Sequence, residues 1–254
     1  MIKIKAACLI VSCIFFISCE KDNAIPSVNK DKVTGYVQKG PYISGTSLVM
    51  YELNNNLEQT GKSFTTLITD ERGTFQFNNI ALNSPYVLVS ANGYYFNENT
   101  GQLSSSTLQL NALLDIKDVS AINVNILTHL EKPRVEYLIS QGESFSNAKK
   151  TAQQEIFAML NFPSAGVQSS ETLDISQSGD GNAMLLAASV IIQGQLPVAD
   201  LTQFLTAISF DLEKDGILSD QNLLKTLKNN ILGLDTKFIF DTLLEHYKLL
   251  GDNI

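Results

Sequence analysis

From residue 33 to about residue 115 apolar positions recur every second residue; from about residue 122 they recur every three or four. Alternation is the signature of half-buried strands, and the longer period is that of amphipathic helices. Strands are predicted at 33–37, 46–53, 63–68, 74–77, 86–91 and 107–114, where β-branched and aromatic residues sit between short Gly, Asn and Pro breaks. Helices are predicted at 126–140, interrupted or restarted at Pro133, then at 146–160 with Ser146 as N-cap, and at 183–193 with Asp180 as cap. Three more follow. Pro197 starts one, Asp220 caps one that runs to Leu232, and Asp235 caps the last, with Phe238, Leu243, Leu244, Tyr247 and Leu250 on one face. The stretch 161–179 reads as a polar loop. The predicted fold class is α+β: an antiparallel β-sandwich over 32–118, followed by an all-α helical domain over 119–254.

Within the first half, Gly35-x-Val37, Gly45-x-x-x-Val49, Thr69-Asp70-x-x-Gly73-x-Phe75-x-Phe77 and Pro85-Tyr86-x-Leu88-x-x-x-x-Gly93-Tyr94 together resemble a carboxypeptidase regulatory-like domain. The resemblance implies a seven-strand, transthyretin-like (Ig-like) sandwich and carries no activity with it. In physical terms, Asp70 closes a tight hairpin, Gly73 takes positive φ, and Phe75 and Phe77 share a face afterwards. Further on, Asn123-Val124-x-x-Leu127-Thr128 with Arg134 resembles the strand-to-helix junction of a group of bacterial lipoproteins without an established activity.

The N-terminus adds an address. Lys3 and Lys5 form a basic head, and the apolar run 6–18 is shorter than the roughly 20 residues of a spanning helix. The run ends in Phe16-Ile17-Ser18-Cys19, which resembles the lipobox of bacterial lipoprotein signal peptides, with Phe16 where Leu is usual. That resemblance implies a signal peptide at 1–18, lipid on Cys19, and a membrane as partner through the anchor. A flexible tether at 19–31 is expected, and its Glu20-Lys21-Asp22 resembles the acidic tags of surface-exposed lipoproteins. The expected location is the outer membrane, facing outside or the periplasm. Cys8, Cys13 and Cys19 all lie in the leader or at its end, so the mature body is expected to hold no disulfide and no thiol chemistry. Losing Lys3 and Lys5 takes the net charge from −8 to about −10, a balance that repels phosphate backbones and excludes nucleic acid as an expected partner.

Candidate chemistry is sparse. Asp211-x-Glu213-x-Asp215-Gly216-x-Leu218-x-Asp220 resembles a calcium loop between two helices, but Asn222 stands where a bidentate Glu belongs. The competing reading is a capped helix–helix turn. Asp174-x-Ser176-x-Ser178-Gly179-Asp180 is a weaker calcium candidate, with Leu185 at its twelfth place. His129, with Asn123, Asn125, Thr128, Glu131 and Arg134 close in sequence, marks either a small-ligand site or the polar capping of a β-to-α junction. His246 suits the negative end of the last helix. Tyr94 and Tyr95, with Phe96, Asn92, Asn97 and Glu98, offer a sugar platform or, as part of the sandwich pattern, core. Gly61-Lys62-Ser63 lacks the earlier Gly of a phosphate loop, and neither a Gly-x-Ser-x-Gly elbow nor a His-Glu-x-x-His helix is present. The expectation is a non-enzymatic envelope lipoprotein with no organic cofactor that binds a protein or polysaccharide. A glycan-binding accessory of an uptake system is the alternative, as is an enzyme whose carboxylates meet only in the fold.

Overall fold

The structure, a computed structural model, describes residues 27–251. The leader, Cys19 and the first part of the expected tether lie outside the described residues. Nine strands come first: β1 (Val28–Gln38), β2 (Ser47–Leu53), β3 (Gln59–Leu67), β4 (Thr74–Leu82), β5 (Tyr86–Gly93), β6 (Phe96–Asn97), β7 (Gln102–Leu103), β8 (Leu108–Asp115) and β9 (Val124–Asn125). Six helices follow: α1 (Ile126–Ser140), α2 (Phe145–Met159), α3 (Asp180–Gln193), α4 (Val198–Leu212), α5 (Gln221–Leu232) and α6 (Thr236–Leu249). The α+β order expected from periodicity is therefore present.

Two sheets face each other, one ordered β4-β1-β9 and the other β3-β2-β5-β8, with β6-β7 as a small separate hairpin. Inner-face residues alternate along each strand: Val33 and Val37 on β1, Leu48 and Met50 on β2, Val87, Val89 and Ala91 on β5, and Leu108, Leu110, Ala112 and Leu114 on β8 are all buried. β1 begins inside the expected tether. Residues 28–30 pair with β4 through Val28↔Leu82, Asn29↔Ala81 and Lys30↔Ile80, and the Val28 side chain is 5% exposed. Backbone pairing there overrides the polar composition that suggested a flexible segment.

The expected β3–β4 hairpin is corrected in its pairing. Asp70 does close the turn, its Oδ1 accepting from the Arg72 and Thr74 amides, and Gly73 has φ of +80°. Yet β3 and β4 belong to different sheets, so the turn is an arch across the sandwich. Phe75 and Phe77 both reach the core edge to face, 5.6 Å apart. On the other side of β1, the chain at 120–125 completes the sheet: the Thr34 amide donates to Ser120 O, the Ile122 amide to Thr34 O, and β9 pairs parallel through Val37↔Val124. Gly35 permits this approach, because a Cβ there would lie 1.5 Å from the Ile122 carbonyl oxygen.

The helices wrap the β8 side. Leu113, Val135, Ala148 and Ala152 bury the outer face of the four-stranded sheet against α1 and α2, with Tyr86 and Phe145 stacked at 4.8 Å. Pro133 neither breaks nor restarts α1, which runs through it; Leu130 and Val135 on either side are fully buried and hold the helix in place. Ser144, not Ser146, caps α2, and α3 begins with Asp180 as its first residue after Gly179. One continuous core runs from Val33, Phe75 and Val89 in the sandwich through Ile126, Phe157, Leu185 and Ile192 to Leu205 and Leu227.

Candidate functional site

At the junction, β9 turns directly into α1. Asn125 accepts from the Leu127 and Thr128 amides while Thr128 Oγ1 accepts from the Asn125 amide, a reciprocal capping box. Asn125 Nδ2 also donates to Ser170 O, and Asn123 Nδ2 to Leu173 O, so the two amides staple the α2–α3 loop to the sheet. Glu131, 1% exposed, meets Lys149 Nζ at 2.5 Å and accepts from Ser170, and Lys149 also meets Glu171 at 3.1 Å. Burial raises the Glu131 pKa against the opposing pull of Lys149. Arg134 makes a two-armed pair with Glu155 at 2.7 and 2.8 Å and donates to the carbonyls of Glu213 and Lys214. It thereby ties α1 and α2 to the end of α4. His129 stands apart from these pairs. Its Nδ1 is buried without a hydrogen-bond partner, and burial, helped by Lys132, pushes its pKa down to about 4. The polar residues around His129 thus cap and staple.

A second polar group joins sandwich to helices. Lys39 Nζ and Glu98 Oε2 are 2.5 Å apart with both side chains fully buried. Ser189 on α3 donates to Glu98 Oε1 at 2.8 Å and also reaches Lys39 O. The Lys39 ammonium lies 5.2 Å from the Tyr95 ring centre, and the Tyr95 hydroxyl donates to Gln193 Oε1 at 2.7 Å. Desolvation lowers the Lys39 pKa, opposed by Glu98. This group has no local sequence signal, because Lys39 and Glu98 are 59 residues apart.

Tyr94 and Tyr95 do not form one platform. In extended backbone, neighbours point to opposite sides: Tyr95 is fully buried and Tyr94 is 43% exposed. Phe96 stacks on His246 at 3.9 Å, so it packs against α6. The 211–222 carboxylates serve the turn. Asp211 Oδ2 accepts from the Ser219 amide at 2.5 Å and the Asp220 amide at 3.2 Å, which lowers its pKa. Asp215 accepts from the Ile217 amide, and Asp220 caps α5 through the Asn222 and Leu223 amides. The Glu213 carbonyl, not its carboxylate, meets Arg134. In the second loop, Asp174 accepts from Gln38 Nε2 at 2.7 Å and from Ser176. Among the described residues no three His, Cys, Asp or Glu side chains converge as a metal cage.

A cleft of about 660 Å³ lies between β1, the β3–β4 arch, the α2–α3 loop, α3 and α6. Leu186, Leu243, Leu244 and Phe240 give it apolar walls; Tyr36, Ser176, Gln177 and Ser178 give it neutral polar groups. Arg72, whose guanidinium donates to Leu250 O, is the charged residue among the described ones in the lining. Phe240 is 64% exposed there. A shallower depression of about 330 Å³ has two carboxylates, Glu136 and Glu213, but Glu136 pairs with Lys132 at 2.7 Å and both are partly exposed. The sequence patterns singled out neither Arg72 nor Phe240. Nothing near either in the chain announces the other, since the cleft gathers residues from 36 to 247.

No family model, characterised protein or solved structure matches the chain.

Proposed function

We propose that this chain is a non-catalytic binding protein of the bacterial envelope, anchored by lipid on Cys19, that recognises its ligand in the cleft beside α6. The observation carrying this reading is the cleft lining, which among the described residues combines apolar walls, neutral hydrogen-bonding groups and the Arg72 guanidinium. Its volume lies within the roughly 300–1,000 Å³ of ordinary ligand sites. Of the buried carboxylates, Glu98 and Glu131 are held by lysines, Glu52 accepts from Thr60 and the Ser84 amide, and Asp174 accepts from Gln38 and Ser176. A glycosidase needs two carboxyl groups facing one cleft, so a binding role accounts better for this lining. The sandwich is read as a carboxypeptidase regulatory-like domain of the transthyretin-like class. Its two facing sheets, the Asp70–Gly73 turn and the paired Phe75 and Phe77 support that reading.

The test uses the mature body on arrays of defined oligosaccharides and of peptides, beside the Phe240→Ala and Leu244→Arg chains. Wild type is expected to bind one class, with loss in both variants. Steady release of reducing sugar or of amine during incubation would make the protein an enzyme and overturn the reading. Palmitate labelling of cells checks the anchor: label is expected on wild type and absent from Cys19→Ala.

A further inference from the structure

Exposed apolar side chains are concentrated late in the fold. Of the twelve large ones at the described surface, eight fall between Phe210 and Leu249, and three of them share α5: Leu224, Ile231 and Leu232, at 36%, 51% and 75% exposure. α5 already buries another face. Leu227 is 5% exposed, Leu223 packs against the core, and Asn230 donates to Ile191 O of α3. Residues 224, 228 and 231 follow the i, i+4, i+7 spacing of one helix face, and 225 and 232 lie beside them. Leu224, Lys228, Ile231, Leu232 and Lys225 therefore share the outward side, and all five are exposed. The helix sequence QNLLKTLKNNIL contains two lysines and no acidic residue, although the whole chain carries −8. The nearest acids are committed at its ends, with Asp220 capping α5 and Asp235 capping α6 through the Phe238 amide.

We infer that this α5 face seats on an anionic lipid surface. Aliphatic side chains beside lysines, without acids, suit the boundary between acyl chains and phosphate headgroups. There, lysine stems lie along the apolar surface while the ammonium groups reach the phosphates. The net charge of −8 opposes such a surface on average, so a locally basic apolar face fixes orientation as well as adding affinity. The face lies on the membrane without crossing it, since no single described helix is long and apolar enough to span. A single lipid anchor gains stable attachment from such a second signal.

Vesicle sedimentation of the unlipidated mature body tests this, because the described core begins at Val28. Phosphatidylcholine vesicles with and without phosphatidylglycerol are the probe. The body is expected to sediment with the phosphatidylglycerol vesicles and to be released by high salt. Lys225→Glu with Lys228→Glu should weaken binding by about tenfold or more, given the attraction of each lysine to an anionic surface. Leu224→Ser with Ile231→Ser and Leu232→Ser should weaken it too, with an unchanged circular dichroism spectrum confirming the fold. Binding to neither vesicle, equal binding to both, or binding that survives the charge reversal would overturn the proposal. So would a concentration-dependent dimer that the serine variant abolishes, which would assign the face to a second copy. The cleft is untouched by these substitutions, so failure here leaves the cleft reading to its own test.

Discussion

Lys39 and Glu98 are buried where neither can reach water, and each is tolerable only because the other is there. Removing one partner leaves a charge that burial must neutralise, whereas removing both leaves an apolar gap. Lys39→Met is therefore expected to cost about 3–5 kcal/mol in urea unfolding. Adding Glu98→Leu should recover most of that loss, since Ser189 keeps Lys39 O as an acceptor. A single-variant cost below about 1 kcal/mol would place the pair in the class of exposed ion pairs. His129 makes a different prediction at the same scale. Its folded pKa is about 4 against an ordinary 6.5, so the unfolded chain binds the extra proton first as pH falls. The native state is therefore undermined progressively from about pH 6.5 down to about pH 4. His129→Leu is expected to leave stability at pH 7 little changed and to raise the melting temperature relative to wild type at pH 5. An equal shift at both pH values would mean that packing, and not protonation, sets the difference.

At the scale of elements, what was legible in the sequence was whatever neighbouring residues decide between themselves. The caps at Asp220 and Asp235 and the positive φ at Gly73 follow from local hydrogen bonding and sterics, and each is present. The Ser146 cap is not realised because Ser144, two residues earlier, is an equally good acceptor and takes the Asn147 amide. Pro133 looked like a break because its local cost is plain, while the burial of Leu130 and Val135 that offsets it comes from other elements. The β3–β4 turn was readable as a turn, but not as an arch, since β3 pairs with the preceding β2 while β4 pairs with the distant β1. The same limit hid the cleft and the Lys39–Glu98 pair. Tyr94 and Tyr95 show it in miniature: adjacency in sequence suggested one surface, and strand geometry sends them to opposite sides.

For the whole molecule, the sandwich and the helices are distinct in period yet share one core, and that decides how they unfold. Residues 120–125 complete the three-stranded sheet before α1 begins, and the core passes without a gap from Val89 on β5 to Ile192 on α3. The buried links add to this, with Lys39, Glu98 and Tyr95 on one side and Ser189 and Gln193 on the other. Separating the two parts would expose both the apolar interface and an unshielded ion pair, so partial unfolding costs nearly as much as complete unfolding. The expected behaviour is one transition, with coincident midpoints by far-ultraviolet circular dichroism, which reports the helices, and by near-ultraviolet tyrosine signals, which report chiefly the sandwich. Ile192→Ala, at a fully buried site on α3, is expected to cost about 2–5 kcal/mol and to lower both midpoints together. Two midpoints, with only the helical one moved, would mean that the shared core is too weak to couple the halves, and that the chain folds as a sandwich carrying a separable helical unit.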